Sequence, residues 1–166
     1  AETVIDCESL GRAFYLDSPD DTTAVIDGFT IRNGACLTGG GGAIRISAAA
    51  PTISDCVFES CEADLGGAIY AAGGSSPTIT GCTFTDNTAI DGGAVYVLSY
   101  EGTIQGCTFT GNSATNGGAL SLMDPAELPL VLGCLFRDNA ADKGGAVYYS
   151  KAETSFEDCS FFGNTA

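Results

Sequence analysis

Apolar and polar residues alternate along this chain in short bursts, and the bursts return on a fixed beat. One burst is Cys-x-Phe, as in Cys56-Val57-Phe58, and the other is aliphatic-x-aliphatic, as in Ile44-Arg45-Ile46. A two-residue alternation buries one face of an extended strand, and nothing between the bursts carries the 3.6-residue apolar period of a helix. The many Gly, Thr and Ser residues penalise a helix further. An all-β chain is predicted.

Two phrases set the beat. Gly-Gly-Ala-aliphatic opens at Gly41, Gly66, Gly92, Gly117 and Gly144, with starts 25, 26, 25 and 27 residues apart. Phe-x-x-Asn keeps the same spacing at Phe84/Asn87, Phe109/Asn112, Phe136/Asn139 and Phe161/Asn164. Two signatures locked at one period make the chain a single repeated unit, too short to bury its own apolar face and obliged to stack on its neighbours. Regular copies start near Thr52, Thr78, Thr103, Leu130 and Ser155. A divergent copy puts Phe29 at the cysteine position and Ile31 at the phenylalanine position, and a partial first copy covers residues 11–16. No Asn-Gly hairpin turn closes pairs of strands, so the strands are predicted to be parallel. The expected architecture is a right-handed parallel β-helix of about six coils. It forms one domain over residues 1–166, with divergent coils in 1–50 and regular ones in 51–166.

Stacking like over like assigns a role to each repeated residue. Gly66, Gly67, Gly92, Gly93, Gly117, Gly118, Gly144 and Gly145 mark a corner where a side chain would clash with its copies and where glycine admits unusual backbone angles. Asn87, Asn112, Asn139 and Asn164 line a second corner, bonding to one another and to the turning backbone. On that basis Asn112→Ala is expected to cost about 1–3 kcal/mol. Phe58, Phe84, Phe109, Phe136 and Phe161 fill the interior beside Ile53, Ile79, Ile104, Val131 and Phe156. Cys56, Cys82, Cys107, Cys134 and Cys159 recur two residues before each phenylalanine, as a buried column of thiols used as small hydrophobes. Cys36 and Cys61 fall outside that phase in consecutive coils and are the candidates for a disulfide. The phase of Cys7 stays open, although Ile5-Asp6-Cys7 echoes Ser54-Asp55-Cys56. The loops vary most after the second strand, from residues 72–76 to 123–129, and are expected to protrude from one edge.

Composition narrows the function. With 21 acidic and 6 basic residues the formal net charge is −15, a surface that repels phosphate backbones and excludes nucleic acid as a partner. Such a skin fits an extracellular or cell-surface protein, and no run resembles a membrane span. Histidine and Cys-x-x-Cys are absent, so zinc has no ligand set, and no cofactor is expected.

Parallel β-helices also host polysaccharide lyases and hydrolases, whose chemistry needs a base, clustered acids or paired aspartates. Here Arg12, Arg32, Arg45, Arg137, Lys143 and Lys151 fall at unrelated phases, except that Arg12 and Arg45 lie near one strand. Asp55, Asp86, Asp91, Asp138, Asp142 and Asp158 read as turn or outward positions. Asp86 and Asp138 share one phase and Asp55 and Asp158 another, with Gly in intervening copies. The expectation is a protein that is not an enzyme. Asp91 and Asp142, beside their glycine pairs, are calcium candidates without a dense acidic loop around them.

Together the two phrases resemble the chlamydial polymorphic outer membrane protein repeat, from about Thr22 to the end of the chain. Similar cysteine-bearing repeats occur in secreted right-handed β-helix proteins of environmental bacteria and archaea. The resemblance implies a surface-exposed passenger that serves adhesion or display and meets a host-cell or glycan receptor. The chain departs from that family in carrying Cys61 where the phrase has asparagine, and in having no membrane barrel. It begins inside a partial copy and stops before another glycine pair. Two expectations follow: a window of a longer passenger, or a filament subunit stacked head to tail.

Overall fold

The computed structural model describes residues 3–17, 24–98, 102–124, 130–150 and 154–166. Every paired strand runs parallel to its counterpart one copy away, and three long sheets result. The phenylalanine sheet stacks seven strands: Thr3–Asp6, Phe29–Arg32, Val57–Glu59, Thr83–Thr85, Thr108–Thr110, Leu135–Arg137 and Ser160–Phe162. The tyrosine sheet stacks Phe14–Asp17, Ile44–Ser47, Ile69–Ala72, Val95–Leu98, Leu120–Met123 and Val147–Ser150. The isoleucine sheet stacks Val25–Asp27, Thr52–Ser54, Thr78–Thr80, Thr103–Gln105, Leu130–Leu132 and Ser155–Glu157. Each coil visits the three sheets in turn, so the fold is a parallel β-solenoid of about six coils, as the repeat predicts.

Register follows the sequence phrases. Ile5, Ile31, Phe58, Phe84, Phe109, Phe136 and Phe161 form one inward column. The phenylalanine rings lie 4.8–4.9 Å apart, with planes within 9° of parallel. A centroid spacing longer than a ring's thickness, with near-parallel planes, is the favourable offset arrangement. Phe58, Phe84, Phe109 and Phe136 are fully buried, and each contributes roughly 1.5–3 kcal/mol from removal of its surface from water. The divergent copies keep the same register: Ile26 pairs with Ile53, and Phe14, Tyr15 and Leu16 pair with Ile44, Arg45 and Ile46.

Between the isoleucine and phenylalanine strands the chain turns through one left-handed residue: Gly28, Asp55, Gly81, Gly106, Gly133 or Asp158. After the phenylalanine strand a second such residue follows: Asn33, Ser60, Asp86, Gly111, Asp138 or Gly163. Besides glycine, asparagine and aspartate tolerate this region best, which explains why Asp and Gly exchange at these two phases. The variable segment 123–129 lies mostly outside the described residues. In the shorter segment 72–76, Gly73 and Gly74 turn with φ of +72° and +76°.

Candidate functional site

The structure places the repeated glycines, asparagines and cysteines at the corners of the coil. In each glycine pair the two residues answer different needs. Gly117 sits at φ +66°, a conformation other residues rarely adopt. Gly118 is not among the positive-φ residues, but a Cβ there would run into Gly145 O and come within 2.7 Å of Ala140 O on the next coil. Gly66, Gly92 and Gly144 repeat the first role, and Gly67, Gly93 and Gly145 the second.

Asn87, Asn112 and Asn139 are fully buried in a hydrogen-bonded ladder. The Asn112 Oδ1 accepts from both the backbone N and the Nδ2 of Asn87, each at 3.0 Å, while Asn112 Nδ2 donates to Phe84 O at 3.1 Å. Asn139 and Asn164 continue the pattern. Cys61 occupies the same corner: its backbone N donates to Asn87 Oδ1, and its Sγ faces Ile31 O and Glu59 O. In the regular cysteine column each Sγ faces two carbonyls, one in its own coil and one in the coil before. For Cys82 these are Thr80 O at 3.4 Å and Ile53 O at 3.6 Å. The thiols therefore fill space and also serve a bend in the backbone.

One expectation is corrected. The Cys36–Cys61 disulfide is not formed; all eight thiols are free. Cys36 is in register with Ala63 rather than Cys61, and its Sγ meets Arg12 Nη2, whereas Cys61 is buried at the asparagine corner. Thiol titration of the unreduced protein in denaturant should find eight free thiols, and six would restore the disulfide.

Cys7 does not join the thiol column. Ile5, not Cys7, falls in the phenylalanine column, which puts Cys7 two positions beyond that column instead of two before it. The calcium candidates do not converge either. Asp91 shares a column with Asn116 and Lys143 and accepts from Asn116 Nδ2 at 2.6 Å, while Asp142 lies two coils on, level with Thr115. Among the described residues no group of three or more metal-ligating side chains forms.

Burial pushes the Cys61 thiol up to about 12. An ordinary thiol ionises near 8.5, so the unfolded chain loses this proton first. The associated stability is complete below about pH 8.5 and is lost as pH rises toward the folded value. Urea midpoints should therefore fall on the alkaline side, and Cys61→Ala should show a shallower fall. An unchanged slope in the variant would mean that Cys61 takes no part.

The acidic turn residues are kept apart by the glycines of the next coil. At Gly81, Gly111 and Gly163 an added Cβ would collide with the Oδ1 of Asp55, Asp86 and Asp138 respectively. Each of these carboxylates leans over the following corner, where glycine leaves it room.

On the tyrosine sheet Tyr15, Arg45, Tyr70, Tyr96, Ser121 and Tyr148 share a column facing away from the core, in which Tyr96 and Ser121 are buried. The guanidiniums of Arg12 and Arg45 each lie 5.8 Å from the Tyr15 ring centre, and Arg45 lies 4.9 Å from that of Tyr70. Tyr70 and Tyr96 stack at 5.6 Å. Arg12 is anchored by Nε to Gly41 O at 3.1 Å and by Nη2 to Gly40 O at 3.3 Å and to Cys36 Sγ. The proximity of Arg12 and Arg45 was visible in the sequence, but the tyrosine column was not. Its signal was the outward slot after each Gly-Gly-Ala-aliphatic phrase, which holds Tyr70, Tyr96 and Tyr148.

Parallel coils closed by inward ladders define a β-helix repeat protein. Residues 13–166 match the family model described as right handed beta helix region, and the chain belongs to that family. No significant match was found among curated proteins or solved structures. Among the described residues no helix is long and apolar enough to cross a membrane.

Proposed function

We propose that this β-helix is a non-enzymatic scaffold or adhesin module displayed outside the cell, with a rigid stacked core and ligand contacts on its outer faces. The observation that carries this reading is the separation of the acidic turn residues. The fold spends its repeated residues on inward ladders, and glycine follows Asp55, Asp86 and Asp138 at their own phase on the next coil, so these carboxylates are not stacked coil upon coil. The net charge of −15 agrees with an extracellular, soluble surface and disfavours anionic polymers as substrates. The resemblance to a surface passenger repeat points the same way.

The test pairs two assays on the purified chain. One is binding to a glycan array and to cultured epithelial cells. The other is release of reducing ends or unsaturated products from neutral and uronate polysaccharides, with and without calcium. Binding without product release is expected. Turnover of any polysaccharide would replace the scaffold reading with that of a carbohydrate-active β-helix.

A further inference from the structure

Six basic side chains serve a chain with 21 carboxylates, yet two of them stand together without an acidic partner among the described residues. Among the described residues the ion pair is Arg32–Asp6, at 2.8 Å, and neither Arg12 nor Arg45 has a carboxylate within pairing distance. Both guanidiniums are partly buried and held in place, Arg12 by two backbone carbonyls and Arg45 between the rings of Tyr15 and Tyr70. The Arg45 Nε is buried with no acceptor. Arg12 spends Nε and Nη2 on backbone carbonyls, which leaves its Nη1 N–H groups, with the Nη groups of Arg45, to meet the two oxygens of a carboxylate.

We propose that the Arg12–Tyr15–Arg45 stack docks an acidic peptide segment of a partner protein, with one carboxylate seated on the guanidinium edges. This rests on the surface-binding reading above and narrows it to a site and a ligand chemistry. Peptide is favoured over sugar because two guanidiniums converge on Tyr15 and Tyr70 is stacked between Arg45 and Tyr96, so the charged edges rather than a bare ring meet the ligand. Leu10 and Leu37, 86% and 68% exposed, lie within two residues of Arg12 and Cys36 and offer apolar contact beside the charge. Tyrosine and arginine anchors are the residues that dominate protein–protein contacts. At physiological salt the repulsion from acidic residues farther away than the screening length of about 8 Å is largely screened, so a short, local contact with the two arginines is tolerated.

Fluorescence anisotropy with a fluorescein-labelled Glu-Glu-Leu-Glu-Glu peptide tests the site, with Gln-Gln-Leu-Gln-Gln as its neutral counterpart. Binding is expected at physiological ionic strength, about tenfold tighter for the acidic peptide. Arg12→Gln and Arg45→Gln should each weaken it by about fivefold or more, with thermal midpoints confirming folded variants. Arg137→Gln, exposed on the phenylalanine sheet, should change nothing. Absence of binding, equal binding of the neutral peptide, or full binding by both arginine variants would overturn the proposal. So would arginine-dependent binding of an oligogalacturonate in place of the peptide, which leaves the surface-binding reading intact. Peptide binding that persists in a chain found to turn over polysaccharide would sink the scaffold reading alone.

Discussion

Gly118→Ala is expected to cost at least about 3 kcal/mol or to prevent folding, against about 1 kcal/mol for Gly106→Ala. The two glycines separate crowding from backbone angle. Gly106 sits at φ +61° with nothing within 4 Å of an added Cβ, so alanine there brings only conformational strain. Gly118 has the opposite problem. Its Cβ would press on the backbone of the next coil, into Gly145 O and to 2.7 and 2.8 Å from Ala140 O and N. Backbone cannot swing aside as a side-chain tip can.

Gly118 N also donates to Gly144 O, and Ala119 and Leu120 both donate to Ala146 O, so relief by separating the coils breaks the ladder itself. Stability in a solenoid comes largely from contacts between neighbouring coils. A wedge at this point should therefore uncouple the coils on either side, and urea unfolding followed by circular dichroism should lose its single transition. A variant within 1 kcal/mol of the parent would show that the corner relaxes more easily than its geometry implies.

What could be read in advance follows from the same stacking. A residue that recurs at coil frequency has its neighbours fixed by its own copies. The glycine pairs, the asparagine ladder and the phenylalanine column were therefore legible without coordinates, and so was the exchange of Asp with Gly at the turns. Positions off the beat were not. Cys36 and Cys61 were paired because they sit in consecutive coils, but Ala35 pairs with Glu62 and Cys36 with Ala63, which sets Cys61 two positions short of Cys36. The Asp6-Cys7 echo of Asp55-Cys56 left the phase of Cys7 open for a related reason. A two-residue likeness carries no phase, and the strand settles with Ile5 over Ile31, which turns Asp6 outward to bond Arg32 and Asn33. The tyrosine–arginine column escaped because an outward strand position is free to vary, so Arg45 and Ser121 interrupt the run of Tyr15, Tyr70 and Tyr96.

The second large effect is expected at Asn112. The ladder geometry raises the cost of Asn112→Ala above the 1–3 kcal/mol anticipated from a single lost partner, to about 3–5 kcal/mol. Alanine removes the Oδ1 that accepts from both Asn87 N and Asn87 Nδ2, and the Nδ2 that donates to Phe84 O. Two donors and one carbonyl then lie in an interior where Asn87 and Asn112 are fully buried and water cannot replace the side chain. Asn112→Asp keeps the acceptor but turns the donor into an oxygen facing Phe84 O and Asn139 Oδ1. It should be destabilising at neutral pH and recover in part at acid pH, when the protonated carboxyl can donate again. Asn164 is the internal reference. It supplies the same bonds to Asn139 but is only partly buried, so solvent can satisfy what alanine leaves behind. Asn164→Ala should cost about 1 kcal/mol. Chemical denaturation of the three variants measures the gradient, and equal costs at Asn112 and Asn164 would show that the ladder's strength does not come from keeping its bonds away from water.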